Sequence, residues 1–212
     1  MRSMRYGRRR YYDLFSHLYD SFVAIHSRRD EQNTRFFLVD CVQLERVTKP
    51  RILDICCGTG SVILTFAQKY PESTSVGLDF SHGMLHKAKE KDSTQIVSFL
   101  EGDAALLPLS NDVFDVVTCS HALYELKGEA RMDALKEMKR VVKPGGIVMI
   151  MEHEVPTHPL IKFLFNIRMS IVGSTGTKAF IGADLEPFQQ LFSEVQLSHS
   201  TSGKSRLVCC IK

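Results

Sequence analysis

The chain has 212 residues, 44% hydrophobic and 24% charged, with a net charge of +3. That much apolar material can build the core of one ordinary domain and excludes a disordered polymer. No apolar run reaches the roughly 20 residues a membrane span needs, and none follows the N-terminal arginines as a secretory signal would require.

In chain order, the first feature is charge. Residues 1–51 hold eleven Lys/Arg against six Asp/Glu, whereas residues 52–212 hold sixteen against eighteen. The excess gathers at Arg2, Arg5, Arg8, Arg9 and Arg10. Residues 1–10 therefore read as a basic flexible arm, suited either to phosphates or an anionic lipid surface or simply to solvent. Residues 11–48 follow as a helical segment. Tyr12, Phe15, Leu18, Tyr19, Phe22 and Val23 fall on one apolar face, and the Lys49-Pro50 step closes the segment.

From residue 49 to 212 strands and helices alternate. Arg51 to Cys56 is a strand that runs into glycines, and Ser61 to Lys69 is a helix. Ser73 to Leu78 is a second strand, and Ser81 caps a helix to about Lys91. Strands follow at Ile96 to Leu100 and Phe114 to Cys119. Ala130 to Val142 is an amphipathic helix stopped by Lys143-Pro144-Gly145-Gly146, and Ile147 to Met151 is a fifth strand. Residues 194–200 and 204–211 close the chain as an antiparallel pair. Apolar strands alternating with helices predict a parallel sheet covered on both faces. The six cysteines, Cys41, Cys56, Cys57, Cys119, Cys209 and Cys210, form no C-x-x-C pair. They read as small hydrophobes in a reduced, cytoplasmic protein without a metal.

The chemistry gathers at the first turn, Ile52-Leu53-Asp54-Ile55-Cys56-Cys57-Gly58-Thr59-Gly60. Ligands of open parallel sheets bind beyond the carboxyl ends of such strands, and Gly58 and Gly60 let backbone approach one closely. A dinucleotide fingerprint would need glycine where Ile63 stands. Asp54 would repel a pyrophosphate but suits a cationic ligand, which S-adenosylmethionine is. Asp79, ending the second strand, can accept from ribose hydroxyls. After the third strand, Asp103 and the backbone of Ala104 can meet an adenine edge. Met84, one turn into the next helix, can pack on the adenine face. A tight turn, a helix cap, a turn aspartate and a core methionine are the structural alternatives for these residues.

In those stretches, together with Gly77-Leu78-Asp79-Phe80-Ser81-His82-Gly83-Met84, Asp112-Val113-Phe114-Asp115 and Arg140-Val141-Val142-Lys143-Pro144-Gly145-Gly146, the chain resembles a class I S-adenosylmethionine-dependent methyltransferase. Its Asp-x-Cys-Cys-Gly-Thr-Gly turn is similar to that of the ubiquinone/menaquinone-biosynthesis C-methyltransferases. The resemblance implies a Rossmann-like, seven-stranded, mostly parallel sheet with an antiparallel last strand, helices on both faces and an N-terminal helical lid. It implies cofactor contacts at Gly58, Thr59, Asp79, Asp103, Ala104 and Ser120. Asp54 would hold the amino-acid end and Tyr19 would lie near the cofactor. Cys56, Gly60, Phe80 and Met84 complete the candidate set.

Past the fourth strand the chain reads Ser120-His121-Ala122-Leu123-Tyr124-Glu125-Leu126, where the quinone enzymes usually carry a Gly-Leu-Arg-Asn type of segment. His121 is a candidate base, with Tyr124 and Glu125 as partners that orient it or hold an amine. Glu152-His153-Glu154 is a second cluster at the end of the fifth strand. The apolar stretch 160–172 reads as a buried or dimer helix, a pocket wall or a membrane-surface element.

The reading is a methyltransferase for a small apolar or amphipathic acceptor, quinone- or lipid-like, in the cytoplasm or at a membrane periphery. Monomer and homodimer both stay open. An RNA methyltransferase using the arginine arm is one alternative, although no Asn-Pro-Pro-Tyr or Asp-Pro-Pro-Tyr segment follows the fourth strand. A non-catalytic protein that binds S-adenosylmethionine is the other.

Overall fold

The computed structural model describes residues 12, 13, 16, 37–44, 47–126, 128–154, 163, 185–200, 203 and 205–212. The arginine arm lies outside the described residues, as does the 160–172 stretch apart from Phe163. The chain divides into two compact units, Met1–Ala104 and Ala105–Lys212.

The first unit carries β1 (Arg51–Ile55), α1 (Ser61–Lys69), β2 (Thr74–Asp79), α2 (His82–Lys91) and β3 (Val97–Glu101). Its strands run parallel in the order β3-β2-β1, with Asp54 opposite Gly77 and Gly77 opposite Phe99. β1 is buried along almost its whole length, as a strand covered on both faces must be. α1 packs Val62, Ile63, Phe66 and Ala67 inward, at helical spacing. Ser81 caps α2 by accepting from the backbone of Met84 at 3.2 Å. Residues 37–40 are helical, and the segment they open docks beside the end of α1. There the Tyr70 hydroxyl donates to the Val42 carbonyl at 2.8 Å and Lys69 donates to that of Val39 at 3.0 Å.

The second unit carries β4 (Phe114–Ser120), α3 (Ala130–Val141), β5 (Val142–His153), α4 (Glu186–Gln189), β6 (Glu194–His199) and β7 (Ser205–Ile211). Its strand order is β4-β5-β7-β6, with β4 and β5 parallel and β7 antiparallel to both its neighbours. The seven strands are therefore mostly parallel with a reversed last strand, as expected of a Rossmann-like methyltransferase sheet.

β5 begins at Val142, five residues earlier than its apolar run suggests. Phe114 pairs with Val142 and Val116 already with Ile147, so β5 spends five residues where β4 spends two. The Pro-Gly-Gly segment is thus an insertion within the strand, with Gly145 at φ 72°. On α3, Arg140 pins the loop before β4. It donates to the carbonyls of Leu107 and Leu109, while Glu137 accepts from the Leu107 amide. Among the described residues no helix is long and apolar enough to cross a membrane.

Candidate functional site

The predicted residues fall into two groups, one in each unit. In the first unit they surround the turn after β1. Cys56, Gly58 and Gly60 have φ of 54°, 53° and 78°, which turns the chain sharply off the strand end. A Cβ built at Gly58 would meet nothing within 4 Å, so the backbone there is bare. The other two glycines of the region are crowded. A Cβ at Gly77 would lie 2.9 Å from the Phe99 ring and 3.0 Å from Cys57 Sγ, and one at Gly60 would lie 3.0 Å from Ala88 and 3.3 Å from Phe99. Phe99 fills the space those two glycines leave, and its ring did not stand out in the sequence.

Two carboxylates border the turn. Asp54 is 1% exposed and Asp79 is 5% exposed. Asp79 Oδ2 accepts from the Gly58 amide and Oδ1 from the Ser81 amide, each at 2.9 Å. One carboxylate thus ties the glycine turn to the entrance of α2, and backbone donors hold it as an anion. Burial, then the charges of Asp79 and Asp54, push the Cys57 thiol well above its ordinary range. The carbonyl of Asp79 accepts from Gly102 at 3.0 Å, which brings the Gly102-Asp103-Ala104 turn to the same strand end.

Thr59 is buried and its hydroxyl accepts from Lys91 Nζ at 2.8 Å. Met84 lies with Leu85 and Ala88 on the buried face of α2, which accounts for its burial by packing alone. Phe80 stands edge-on to Tyr12 with ring centroids 5.7 Å apart. Tyr19 lies outside the described residues. The sequence reading did not anticipate Asp13, whose Oδ1 accepts from the Ser81 hydroxyl at 2.7 Å and the Gly83 amide at 2.9 Å. An aspartate from the N-terminal segment so caps α2 beside the residues that hold Asp79.

The second group lies where β4 and β5 end. Ser120 pairs with Met151, and the His121 amide donates to the Met151 carbonyl at 2.7 Å, with His121 at φ 51°. A single 3-10 turn, Leu123–Glu125, follows. Its carbonyls at Leu123 and Tyr124, and that of Leu126, accept from Arg131. Its amide at Tyr124 donates to Glu152 Oε1 at 3.2 Å. The His121 and His153 rings lie 4.4 Å apart, and Tyr124 lies 5.6 Å from His153. The structure therefore brings His121, Tyr124, Glu152 and His153 together, with Glu125 on the same turn. Glu154 turns instead to His199 Nδ1 at 3.0 Å. Among the described residues no group of three acidic, His or Cys side chains has the arrangement of a metal site.

Glu152 is 1% exposed, and burial raises its pKa from 4.5 to about 8. The Tyr124 amide, Arg206 and the Leu123 amide oppose that rise, whereas Glu125 adds to it. Its Oε2 has no hydrogen-bond partner among the described residues.

The sequence profile described as a methyltransferase domain matches residues 52–146. The demethylmenaquinone methyltransferase of Shouchella clausii (strain KSM-K16) is 32% identical over 180 residues, which is 81% of this chain and 76% of that protein. That of Staphylococcus aureus (strain JH9) is 38% identical over 124 residues, 58% of this chain and 51% of the relative, so the chain matches about half of that relative's length. Among solved structures, one of a complex between the Haloferax volcanii Trm112 methyltransferase activator and a putative methyltransferase superposes with a TM-score of 0.70 at 16% identity, over 94% of this chain and 96% of that one. Human N-acetylserotonin methyltransferase in complex with SAM gives 0.66 at 18% identity, over 90% of this chain and 58% of that one. Both likenesses are of fold.

Proposed function

The chain belongs to the class I S-adenosylmethionine-dependent methyltransferases, and from that premise we propose that it methylates a small quinone-like acceptor on carbon. The observation that carries the proposal is the 32% identity with the Shouchella clausii enzyme, which extends well beyond the matched methyltransferase domain.

The first unit fits the cofactor by its chemistry. Gly58 leaves room where a side chain would intrude. Asp54 and Asp79 supply negative charge for a ligand with a sulfonium and an ammonium. In the proposal Asp54 serves the amino-acid end, Asp79 the ribose, and Asp103 with Ala104 the adenine edge. Cys56, Gly58, Thr59, Gly60, Phe80 and Met84 form the surrounding wall. The family resemblance also implies a cofactor contact at Ser120. When bound, S-adenosylmethionine supplies a methyl group on a sulfonium sulfur, which an electron-rich atom can displace in line without a protein nucleophile.

The second unit would serve the acceptor. A ring carbon that gains a methyl group must lose its proton, and we assign its acceptance to His121, whose ring can take a proton near neutral pH. His153 packs against that ring, and Tyr124 packs in turn against His153. Glu125, next along the turn, is assigned to orienting the acceptor. The test is purified protein with S-adenosylmethionine and a naphthoquinol unsubstituted beside its oxygen, followed by mass spectrometry. A product heavier by one methylene, with S-adenosylhomocysteine in equal amount, is expected. Cofactor binding without product on this acceptor would overturn the quinone assignment.

A further inference from the structure

Beyond the base, the second unit holds a group that the proposed reaction has not yet used. Glu152 ends β5 opposite Arg206 of β7, and it is buried. One carboxylate oxygen has a structural task, since Oε1 receives the Tyr124 amide. The other, Oε2, is equally buried and has no partner among the described residues. A buried carboxyl with one oxygen engaged and one idle costs free energy unless something meets the idle atom.

We propose that Glu152 binds the acceptor, its neutral carboxyl donating a hydrogen bond from Oε2 to a ring oxygen of the quinone or quinol. This rests on the quinone-like reading above and deepens it by naming the atom recognised. Burial keeps the proton on Glu152 at neutral pH. A carboxylic acid kept neutral in this way can donate to the lone pair of a ring oxygen, where an ionised one would repel it. The surrounding charges are arranged for that balance. Arg206 on β7 and Arg131 on α3 lie near enough to favour the ionised form electrostatically. Glu125 on the 3-10 turn favours the neutral form. The ring cluster of His121, Tyr124 and His153 lies at the same strand ends, joined to Glu152 through the Tyr124 amide. The Arg131 head is committed to three backbone carbonyls of the turn, which leaves Glu152 without a direct ion-pair partner on α3.

The experiment compares wild type with Glu152→Gln and Glu152→Leu in the full chain. Binding of 1,4-naphthoquinone is titrated from pH 6 to 9.5, and binding of S-adenosylhomocysteine is measured as a control. Wild-type quinone affinity is expected to hold to about pH 8 and then fall about tenfold per pH unit. Glu152→Gln keeps an acceptor for the Tyr124 amide and an N–H donor. It is expected to bind about three- to tenfold more weakly at pH 7 but with no fall above pH 8. Glu152→Leu is expected to lose at least about tenfold at pH 7 and to show no alkaline fall, with S-adenosylhomocysteine affinity unchanged in both variants. An unaltered alkaline fall in Glu152→Gln, or unaltered quinone affinity in Glu152→Leu, would overturn the inference while leaving the quinone reading intact. Failure of the wild type to bind the quinone at all removes both.

Discussion

The two units treat buried carboxylates in opposite ways. In the first, Asp79 accepts backbone amides from Gly58 and Ser81 on its two oxygens, an arrangement that favours the ionised form. In the second, Glu152 receives an amide on one oxygen only, and burial raises it to about pH 8. Two amides act on each carboxyl, but they reach both oxygens of Asp79 and leave Oε2 of Glu152 unmet among the described residues, and for Glu152 burial outweighs them. The difference matches what each unit is proposed to meet, a cation in one case and a neutral ring oxygen in the other.

The largest expected effect tests the first half of that comparison. Asp79→Ala leaves two amides unanswered and removes a charge, so S-adenosylmethionine affinity should fall about a hundredfold in calorimetric titration. Retention of affinity within about threefold would break the comparison at its anionic end. Next is Gly77→Val. The added atoms collide with Phe99 and Cys57 in the strand behind the turn, and we expect a loss of about 3 kcal/mol of stability in urea unfolding.

The second half is tested through pH. Below about pH 4.5 Glu152 is protonated in the folded and unfolded chains alike. Between about 4.5 and 8 the unfolded chain ionises while the folded one keeps its proton, so stability should fall as pH rises through that window. Glu137 works in the other direction. Arg140 holds its carboxyl below the usual range, so its contribution is present above pH 4.5 and is lost as pH falls further. Glu152→Gln should therefore flatten the melting temperature between pH 5 and 8 and leave the acid limb in place. A slope equal to that of the wild type would place the proton elsewhere. The smallest effect sharpens the boundary of the first unit. Asp13→Ala should cost about 1 kcal/mol through the lost cap on α2, read as a lower melting temperature. Gly83→Ala should unseat the same contact, because its Cβ would lie 2.8 Å from the Asp13 backbone.

The first unit was the more legible in sequence, for a physical reason. Residues that need positive φ must be glycine or pay for it, a helix entrance wants a short hydroxyl, and both demands are local. Ser81, Gly58, Gly60 and the ends of β1 and α1 could therefore be placed from neighbours alone. Phe99 could not, because its role comes from facing Gly77 across the sheet. Asp13 could not, because it reaches 68 residues along the chain to Ser81. In the second unit the order of strands was readable, but the start of β5 was hidden by Pro144 and the two glycines. The burial of Glu152 depends on pairing with Arg206, fifty-four positions away, and on a turn clamped by Arg131. His121, Tyr124 and Glu125 were found as chemistry-bearing types after a strand, whereas the carboxyl that gathers them was visible only as one of three polar residues in a row.

The crowding of Cys57 against Gly77 has a consequence for the protein's exposure to oxidants and alkylating agents. Peroxides and haloacetamides attack thiolate, and the two aspartates beside Cys57 suppress that form. The negative charge suited to a sulfonium ligand thus also passivates the sulfur lodged beneath it. Burial first, and then those charges, hold Cys57 in its unreactive thiol form within the turn proposed to meet the cofactor.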